Sequence, residues 1–439
     1  MSASRESGAA CVVFADPSDL VALDAVKQRL GSRSLEILVA EDAEIERALK
    51  RTFSANSSQR EAGETGAVEL LTEMITAAQL QSVSDIHIEP TRDCARVRFR
   101  LDGVLRSWCH ITTAQWKTLV GRVKVLAELD IADSRSAQDG RFAHGADGRE
   151  IDIRVSAMPT DCGEAVVMRL LDRHRCALDL TELGVQESQQ QLLRQLLRKP
   201  EGMLVVCGPT GSGKSTSLYA LVESIRGESL NIITLEDPVE YPTTWVRQSS
   251  INDAISMDFA QGVRAALRQD PDVMLIGELR DGETAKMALR AAMTGHRVLT
   301  TVHANSAIAS VARLWDLGLE PHLLAGNLIG VVAQRLLRCL CQSCKKADPD
   351  RLGCFVACGC DSCEAGYSGR VPVFEIWPVD DEFDELLHGA ASRRSFESLA
   401  RERGHGSLHD AALVLLEQGK TSAAEVERVI GPVEGGRYA

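Results

Sequence analysis

The sequence predicts an α/β protein built around a phosphate-binding loop, and three observations support this prediction. The segment Gly208–Thr216, G-P-T-G-S-G-K-S-T, fits the pattern G-x-x-x-x-G-K-[ST] at every position. The short apolar run Met203–Cys207 precedes it and predicts a buried strand. The segment Ser215–Ile225 follows it and has the pattern of a helix. Strand, glycine-rich loop and helix therefore come in the order that phosphate binding requires.

The loop supplies the predicted binding residues for the phosphates of a nucleotide. Glycines let the backbone turn its N–H groups towards an anion, and the positive end of the following helix faces the same place. Lys214 is expected to reach the β- and γ-phosphates, and the Ser215 hydroxyl is expected to hold Mg²⁺. The predicted binding set is Gly208, Pro209, Thr210, Gly211, Ser212, Gly213, Lys214, Ser215 and Thr216. The alternative is a glycine-rich turn that binds nothing, which the flanking strand and helix disfavour.

Length and composition restrict the other possibilities. The chain has 439 residues, 44% hydrophobic and 25% charged, with a net charge of −13. These values are typical of a soluble globular protein of about three domains, and the acidic balance argues against a general nucleic-acid partner. The sequence contains neither an apolar run of membrane-spanning length nor a secretory signal at residues 1–10, so we expect a cytoplasmic protein. In that compartment the 13 cysteines indicate reduced thiols or metal ligands rather than disulfides.

Residues 1–53 are predicted to form a small α/β unit that binds a partner. Its predicted elements are the strands Cys11–Phe14 and Leu35–Ala40 and the helices Ser18–Leu30 and Asp42–Phe53. Residues 54–66 contain no large apolar side chain and several serines and glycines, which predicts a flexible linker.

A second domain is predicted over residues 67–175. It begins with a helix whose apolar face contains Val68, Leu71, Ile75 and Ala78. Alternating strands follow, with a hairpin turn at Asp102-Gly103; they are Asp85–Glu89, Ala95–Leu101 and Ile151–Val155. Arg154 falls on the polar face of the last strand, where a solvated surface arginine is the ordinary interpretation.

The third domain is predicted to carry reactive side chains at the ends of its strands. Three predicted strands end at such a side chain: Asn231–Leu235 before Glu236, Val273–Gly277 before Glu278, and Arg297–Val302 before His303. In an open parallel sheet the carboxyl ends of the strands line the ligand crevice. The carboxylates and the histidine are therefore expected beside the phosphate loop.

Six longer motifs resemble those of the secretion ATPases of the type II and type IV pilus superfamily, most of all the GspE-type ATPases of type II secretion. I-T-L-E-D-P-V-E, L-R-Q-D-P-D-V-M-L-I-G-E-L-R-D and T-G-H-R-V-L-T-T-V-H-A-N resemble that family's aspartate box, atypical Walker B motif and histidine box. They are found at Ile233–Glu240, Leu267–Asp281 and Thr294–Asn305. Upstream matches are S-D-I-H-I-E-P at Ser84–Pro90, R-F-R-L-D-G-V-L at Arg98–Leu105 and D-I-R-V-S-A-M-P at Asp152–Pro159. The similarity covers roughly residues 67–380.

The resemblance implies a hexameric ring of protomers with a PAS-like α+β domain at 67–175 joined flexibly to a RecA-like ATPase core at 183–338. It also implies arginines that neutralise charge near the γ-phosphate of ATP. By motif these are Arg154 in D-I-R-V-S, Arg169 in V-V-M-R-L-L-D and Arg264 in G-V-R-A-A-L-R-Q-D. On this resemblance Arg154 is a phosphate sensor rather than a surface residue.

The predicted reaction is attack of water on the γ-phosphate of ATP. Glu278 is the favoured residue to orient or deprotonate that water, and Glu236 is the second choice, because both carboxylates are expected within reach of the phosphate. The alternative for Glu278 is that it only orients the groups that hold Mg²⁺. His303 and His296 are candidates for contacting the phosphate or for relaying its loss to the subunit interface, although a lone histidine is more often structural.

Residues 339–371 are predicted to form a zinc-bound tetracysteine element. Two C-x-x-C pairs supply four thiolates, the usual set for structural zinc: Cys341, Cys344, Cys360 and Cys363. Three further cysteines lie close enough to compete as ligands: Cys339, Cys354 and Cys358. The resemblance implies that this element docks on an inner-membrane platform. Residues 372–439 are predicted to be mainly helical.

The motifs and the resemblance together imply a cytoplasmic hexameric ATPase that powers pseudopilus assembly in type II protein secretion. It is expected at the inner membrane only through partners, namely a bitopic protein bound by residues 1–53 and a polytopic platform protein. Extension of a type IV pilus is an alternative that the core cannot distinguish. A DNA-uptake or conjugation ring is disfavoured by the acidic charge. A scaffold that binds nucleotide without hydrolysis is disfavoured by Lys214, Glu236 and Glu278.

Overall fold

The computed structural model describes residues 10–18, 23, 26, 35–41, 44–45, 66–146, 149–172, 179–227, 229–251, 257–351 and 353–432. The chain divides into two compact units, Met1–Leu171 and Asp172–Ala439. The predicted helices Ser18–Leu30 and Asp42–Phe53 and the predicted linker fall, apart from single positions, outside the described residues.

The first unit starts with two short parallel strands and a helix. Strands β1 (Ala10–Phe14) and β2 (Leu35–Val39) pair in parallel, close to their predicted bounds. Helix α1 (Ala67–Gln81) buries Leu71, Ile75 and Ala78 as predicted, but Val68 is 55% exposed. The prediction for Val68 was wrong because the buried face is centred nearer Leu70 and Met74, which places Val68 just beyond its edge.

The rest of this unit is a six-stranded sheet with the order β5-β4-β3-β8-β7-β6. Its elements are β3 (Asp85–Pro90), β4 (Cys94–Leu101), β5 (Val104–Thr112), α2 (Thr113–Leu126), β6 (Gln138–Ala146), β7 (Arg149–Thr160) and β8 (Gly163–Asp172). Asp102 and Gly103 join β4 to β5 with φ of 47° and 80°, the left-handed conformation of a tight hairpin turn. In β7, Ile151, Ile153 and Val155 are buried while Arg154 is half-buried, as the alternation predicts.

The second unit contains a seven-stranded sheet with the order β11-β10-β12-β13-β9-β14-β17. Its strands are β9 (Gly202–Cys207), β10 (Ile232–Glu236), β11 (Arg247–Ser250), β12 (Val273–Ile276), β13 (Arg297–Val302), β14 (Leu328–Leu340) and β17 (Tyr367–Pro378). Its helices up to β14 are α3 (Glu187–Leu196), α4 (Lys214–Ser224), α5 (Phe259–Ala266), α6 (Gly282–Met293), α7 (Ala307–Asp316) and α8 (Pro321–Leu324).

Strand direction decides where the reactive residues meet. All neighbouring strands of this sheet are parallel except β14 and β17, which are antiparallel. Strands β9, β10, β12 and β13 therefore end at the same edge. The residues that follow them were predicted to lie together, and the topology agrees.

The chain beyond β14 forms a small hairpin and a helical region. Strands β15 (Lys346–Ala347) and β16 (Phe355–Val356) pair between β14 and β17. Four helices follow: α9 (Asp381–His388), α10 (Arg393–Glu402), α11 (Leu408–Glu417) and α12 (Ala423–Val429). The predicted helical region at 372–439 thus begins inside β17. Within the described residues, no helix has the length and apolar character needed to cross a membrane.

Candidate active site

The phosphate loop follows β9, whose six residues are all buried. Gly211 and Gly213 have φ of 79° and 84°, a conformation in which any other L-residue is strained. Gly208 packs against β14, since a Cβ atom there would lie 2.6 Å from the carbonyl oxygen of Gln334. The loop therefore needs glycine both for its turns and for close packing on the sheet. Helix α4 begins at Lys214, with Gly213 as its N-cap.

Lys214 folds back over the loop from which it comes. Its Nζ donates to the carbonyl oxygens of Gly208 and Pro209, at 2.9 and 3.0 Å. Burial lowers the pKa of Lys214 below its usual range, against the opposing effect of the Glu278 carboxylate. Ser215, the next residue, is exposed at the first turn of α4. A cationic Nζ that interacts with the Glu278 carboxylate, followed by a residue with an exposed hydroxyl, suits a triphosphate with Mg²⁺.

Glu278 lies between two cationic or potentially cationic side chains at the end of β12. Its Oε1 lies 2.9 Å from Nε2 of His303, and its Oε2 accepts from Nε of Arg280 at 2.9 Å. Arg280 also reaches Asp237, with Nη1 2.7 Å from Oδ2. Residues that follow three neighbouring strands are thus joined in one row. The predicted proximity of Glu278 and His303 is confirmed by this contact.

Glu236, the second candidate base, is held in a buried network instead. Tyr219 of α4 donates to its Oε2 at 2.6 Å, and Thr234 donates to its Oε1 at 2.6 Å. Gln248 of β11 donates to the Tyr219 hydroxyl at 2.8 Å. With 6% of its surface exposed, Glu236 offers less access to water than Glu278. Glu278 is therefore the more accessible of the two carboxylates, and its assignment as the base stays a prediction.

Sequence reasoning missed Tyr219 and Gln248 in this network. Tyr219 lies in a helical segment whose residues from Ser217 to Val222 are all buried, so its pattern indicated packing alone. Burial together with the Glu236 carboxylate raises the pKa of Tyr219, which keeps the phenol protonated and able to donate. The signal in the sequence was a tyrosine, Tyr219, among the buried residues of the helix that directly follows the phosphate loop. A buried tyrosine needs a hydrogen-bond partner, so its position indicated a polar neighbour.

His296 lies at the opposite end of β13 from His303. It precedes β13, whereas His303 follows it, and six residues of strand span about 20 Å. Its Nδ1 lies 2.9 Å from the carbonyl oxygen of Ala291 and 3.1 Å from Oγ1 of Thr294, at the end of α6. These contacts fit the structural interpretation of His296, and a role at the phosphate or at a subunit interface stays a prediction.

The three predicted arginines lie in different environments. Arg264 of α5 pairs with Glu283 in the first turn of α6, and both side chains are exposed. Arg169 of β8 lies 3.0 Å from the buried carboxylate of Asp85 and is 56% exposed. Arg154 lies opposite Arg141 in the register of β7 and β6. Arg154 and Arg169 belong to the first unit and Arg264 to the second, so their roles at the phosphate stay predictions.

Four cysteine sulfurs in the second unit are arranged as zinc ligands would be. Sγ atoms of Cys341, Cys344, Cys360 and Cys363 all lie within 4.8 Å of one another. Individual separations are 3.9 Å for Cys341 and Cys360, 3.6 Å for Cys344 and Cys363, and 3.6 Å for Cys360 and Cys363. A tetrahedral site with Zn–S bonds of about 2.3 Å has edges of about 3.8 Å. The donor set and its spacing fit zinc.

The competing cysteines lie elsewhere. Cys354 is 1% exposed and packs in an apolar cluster with Leu416 and Ala423. Cys358 is exposed, and Cys339 is half-buried on β14. Among the described residues, the two C-x-x-C pairs thus form the metal-binding group that the structure supports.

A family model described as "Type II/IV secretion system protein" matches residues 60–428. The chain belongs to this family. A second model, the MshEN domain, matches residues 3–59. The membership confirms the predicted family, the α/β fold class and the predicted class of enzyme, an ATPase of protein secretion.

Individual relatives of this secretion ATPase agree with the family match. It is 43% identical over 377 residues to "Type II secretion system ATPase E" of Vibrio cholerae, covering 82% of this chain and 75% of the relative. It is 44% identical over 363 residues to "Type II secretion system protein HxcR" of Pseudomonas aeruginosa, covering 82% and 77%.

Solved structures extend the comparison to the fold. The Legionella pneumophila ATPase DotB has a TM-score of 0.64 at 21% identity, covering 84% of this chain and 97% of DotB. The pilus retraction motor PilT, solved with bound ADP, has a TM-score of 0.57 at 26% identity, covering 83% and 97%. The secretion ATPase described here therefore shares its fold with these two solved proteins.

Proposed function

We propose that this chain hydrolyses Mg²⁺-ATP as a hexameric ring and that the hydrolysis powers pseudopilus assembly in type II protein secretion. The observation that carries the proposal is the meeting, at one edge of the parallel sheet, of the phosphate loop with Glu278 and His303. Relatives named as type II secretion ATPases support the biological setting. The most direct test is Mg²⁺-dependent release of phosphate from ATP by the purified chain, with the mass of the active species measured by light scattering.

The residues of the second unit suit an in-line attack of water. Mg²⁺ held by Ser215 would supply positive charge to the β- and γ-phosphates. Lys214 exchanges the carbonyl oxygens of Gly208 and Pro209 for phosphate oxygens. Glu278 accepts the proton of the attacking water. His303 and Arg280 orient the two carboxylate oxygens of Glu278. The water oxygen bonds to the γ-phosphorus, the bond to the β–γ bridging oxygen breaks, and ADP and phosphate leave.

Three guanidinium groups are proposed to neutralise charge on the transferred phosphoryl group: those of Arg154, Arg169 and Arg264. Their support is the motif resemblance together with the physical demand for cations at a phosphoryl group. Alanine at each position is expected to lower kcat by about 10²-fold while the chain stays folded. Unchanged turnover in any one variant removes that arginine from the mechanism.

Partners and location belong to the same proposal. We place the protein in the cytoplasm, held at the inner membrane by a bitopic protein on residues 1–53 and by a polytopic platform protein on the tetracysteine element. No nucleic-acid partner is expected at a net charge of −13. The proposed division is 1–53, a linker at 54–66, a PAS-like domain at 67–175, a RecA-like core at 183–338, the zinc element at 339–371 and the C-terminal region at 372–439.

Extension of a type IV pilus by the same machinery is the alternative, and the names of the curated relatives favour secretion. Affinity capture with residues 1–60 from membranes of the source cell distinguishes the two. A bitopic secretion protein supports the proposal, whereas pilus-assembly proteins support the alternative. Stimulation of the ATPase by DNA would instead indicate a nucleic-acid translocase.

A further inference from the structure

Three successive backbone groups just after His303 are each bound by a buried side chain from a different strand. Nη2 of Arg335 on β14 donates to the Asn305 carbonyl oxygen at 2.9 Å. Sγ of Cys207, the last residue of β9, donates to the Ser306 carbonyl oxygen at 3.3 Å. Oε1 of Glu375 on β17 accepts from the Ala307 N–H at 3.1 Å. The proposed mechanism uses none of these three side chains.

Their positions across the sheet explain how they converge. Ala333 of β14 pairs in register with Cys207 on one side and with Glu375 on the other. Cys207 is fully buried, Glu375 is 4% exposed and Arg335 is 9% exposed. Burial raises the pKa of the Cys207 thiol to about 12, so this thiol stays protonated and able to donate. Burying a charged side chain costs free energy unless a partner group compensates the charge. Arg335 finds its partner at the Asn305 carbonyl oxygen and Glu375 at the Ala307 N–H, two groups of the same segment.

Arg335 also contacts the floor of the phosphate loop. Its Nη1 donates to the Gln334 carbonyl oxygen at 3.0 Å, the same oxygen against which Gly208 packs. The Gln334 amide lies against Gly213, where a Cβ would be 3.0 Å from its Nε2. One guanidinium therefore links the backbone under the phosphate loop to the segment that carries His303.

From these contacts we infer that Arg335 is a positioning residue, which with Glu375 and Cys207 holds His303 in place against Glu278. Asn305 is two residues from His303, and His303 lies 2.9 Å from Glu278. Displacement of Asn305 therefore shifts the histidine and with it the carboxylate. Arg335 also links the alignment of Glu278 to the phosphate loop. The inference rests on the proposed function, since it assigns how the base is aligned.

A double-mutant cycle tests the route through His303. Arg335→Lys keeps the charge but loses the forked geometry that reaches two carbonyl oxygens at once. We expect it to lower kcat about tenfold with the nucleotide Kd changed less than about twofold, and to have almost no further effect in a His303→Ala background. Equal losses of kcat in both backgrounds, or a parallel loss of nucleotide affinity, overturn the inference.

Arg338→Lys is the matched control. Arg338 lies on the same strand and bonds Glu425 instead of the His303 segment, so its substitution is expected to leave kcat unchanged. Cys207→Ala, which removes a single thiol donor, serves if Arg335→Lys does not fold, and it is expected to show the same dependence on His303 with a smaller loss.

Hydrogen exchange separates failure of this inference from failure of the proposed function. Faster amide exchange over residues 303–307 in Arg335→Lys, but not in Arg338→Lys, is expected whether or not the wild-type chain hydrolyses ATP. Unchanged exchange there overturns the inference. An inactive wild-type chain with the expected exchange pattern overturns the proposed function and leaves the positioning contact standing.

Discussion

The phosphate loop packs against the middle of β14, whereas the tetracysteine element begins where β14 ends, and the two regions illustrate two uses of polar side chains. Beside the loop, His303 is 52% exposed, Arg280 53% and Glu278 21%, so a ligand can reach them. In the tetracysteine element the four sulfurs face one another and leave no coordination position for a substrate. An open set of charged side chains can take part in a reaction, whereas a metal with four protein ligands has no open position for catalysis.

The two regions also differ in what fixes them. At the phosphate-loop edge, the positions of the side chains are fixed by the register of the parallel strands, which pack on a large apolar core. The tetracysteine element is joined to the C-terminal helices by Lys345 Nζ to the Gly419 carbonyl oxygen at 2.9 Å and by Leu340 N–H to the Lys420 carbonyl oxygen at 2.8 Å. Metal should therefore matter more for the second region than for the first.

The largest expected effect is on the tetracysteine element. Cys363→Ser should abolish tight zinc binding and unfold the element, because structural zinc contributes about 10–16 kcal/mol to such sites. Metal analysis and hydrogen exchange over residues 341–367 measure this. Cys358→Ser, in the same element but outside the ligand group, is the control and should keep about one zinc per chain. Full ring assembly by a zinc-free preparation contradicts a structural role.

Lys214→Ala should lower kcat by at least about 10³-fold and weaken nucleotide binding, because the ammonium contacts phosphate in both the ground and the transition state. Phosphate release and binding of a fluorescent nucleotide measure the two effects. Lys286→Ala, which removes an exposed lysine of α6, is the control. Wild-type turnover in the Lys214 variant refutes the phosphate-loop assignment.

Glu278→Gln should lower kcat by about 10²- to 10³-fold while sparing ATP binding, because the amide keeps the shape but cannot accept the proton. The matched comparison is Glu236→Gln, in which Tyr219 loses an anionic acceptor and the buried network is disturbed. Single-turnover hydrolysis by each variant measures which substitution slows the chemical step. If the Glu278 variant retains hydrolysis and the Glu236 variant does not, the base assignment moves to Glu236.

The smallest expected effect concerns the carboxylate that anchors α12. Glu425 is fully buried and accepts hydrogen bonds from Arg338 and Arg428. Glu425→Gln should destabilise the C-terminal region by about 3 kcal/mol at pH 7, since it leaves the half-buried guanidinium of Arg338 without its charge partner. Thermal melting measures the loss. Glu427→Gln, on the exposed side of the same helix, should change stability by less than about 0.5 kcal/mol.

The ion pairs of Glu425 with Arg338 and Arg428 also predict that stability depends on pH. Burial raises the pKa of Glu425, but hydrogen bonds from Arg428 and Arg338 outweigh it, and the pKa lies below its usual value. A carboxylate with a lowered pKa in the folded state stabilises above its unfolded pKa of about 4.3 and loses this contribution as pH falls through the folded value. The gap between wild type and Glu425→Gln should therefore narrow as pH falls below about 4. A constant gap contradicts the assignment.

The sequence by itself determined the parts of the site that local chemistry dictates. The backbone conformation of the phosphate loop requires its glycines, and the spacing of zinc ligands requires the C-x-x-C pairs. Each pattern can therefore be recognised within a few residues of sequence. The apolar runs of β9, β12 and β13 predicted a parallel sheet, and parallel strands bring Glu278 and His303 to one edge. The family followed from six such segments in order.

The tertiary structure alone decided which side chains touch. Arg335, Cys207 and Glu375 are separated by many residues and converge through the register of β9, β14 and β17, which no local pattern records. The difference in access between Glu236 and Glu278 depends on Tyr219 and Gln248, neither of which the sequence analysis singled out. Cys354 was excluded as a ligand by its place in an apolar cluster. Periodicity identifies the face of an element, but hydrogen-bond partners are set by which elements are neighbours in space.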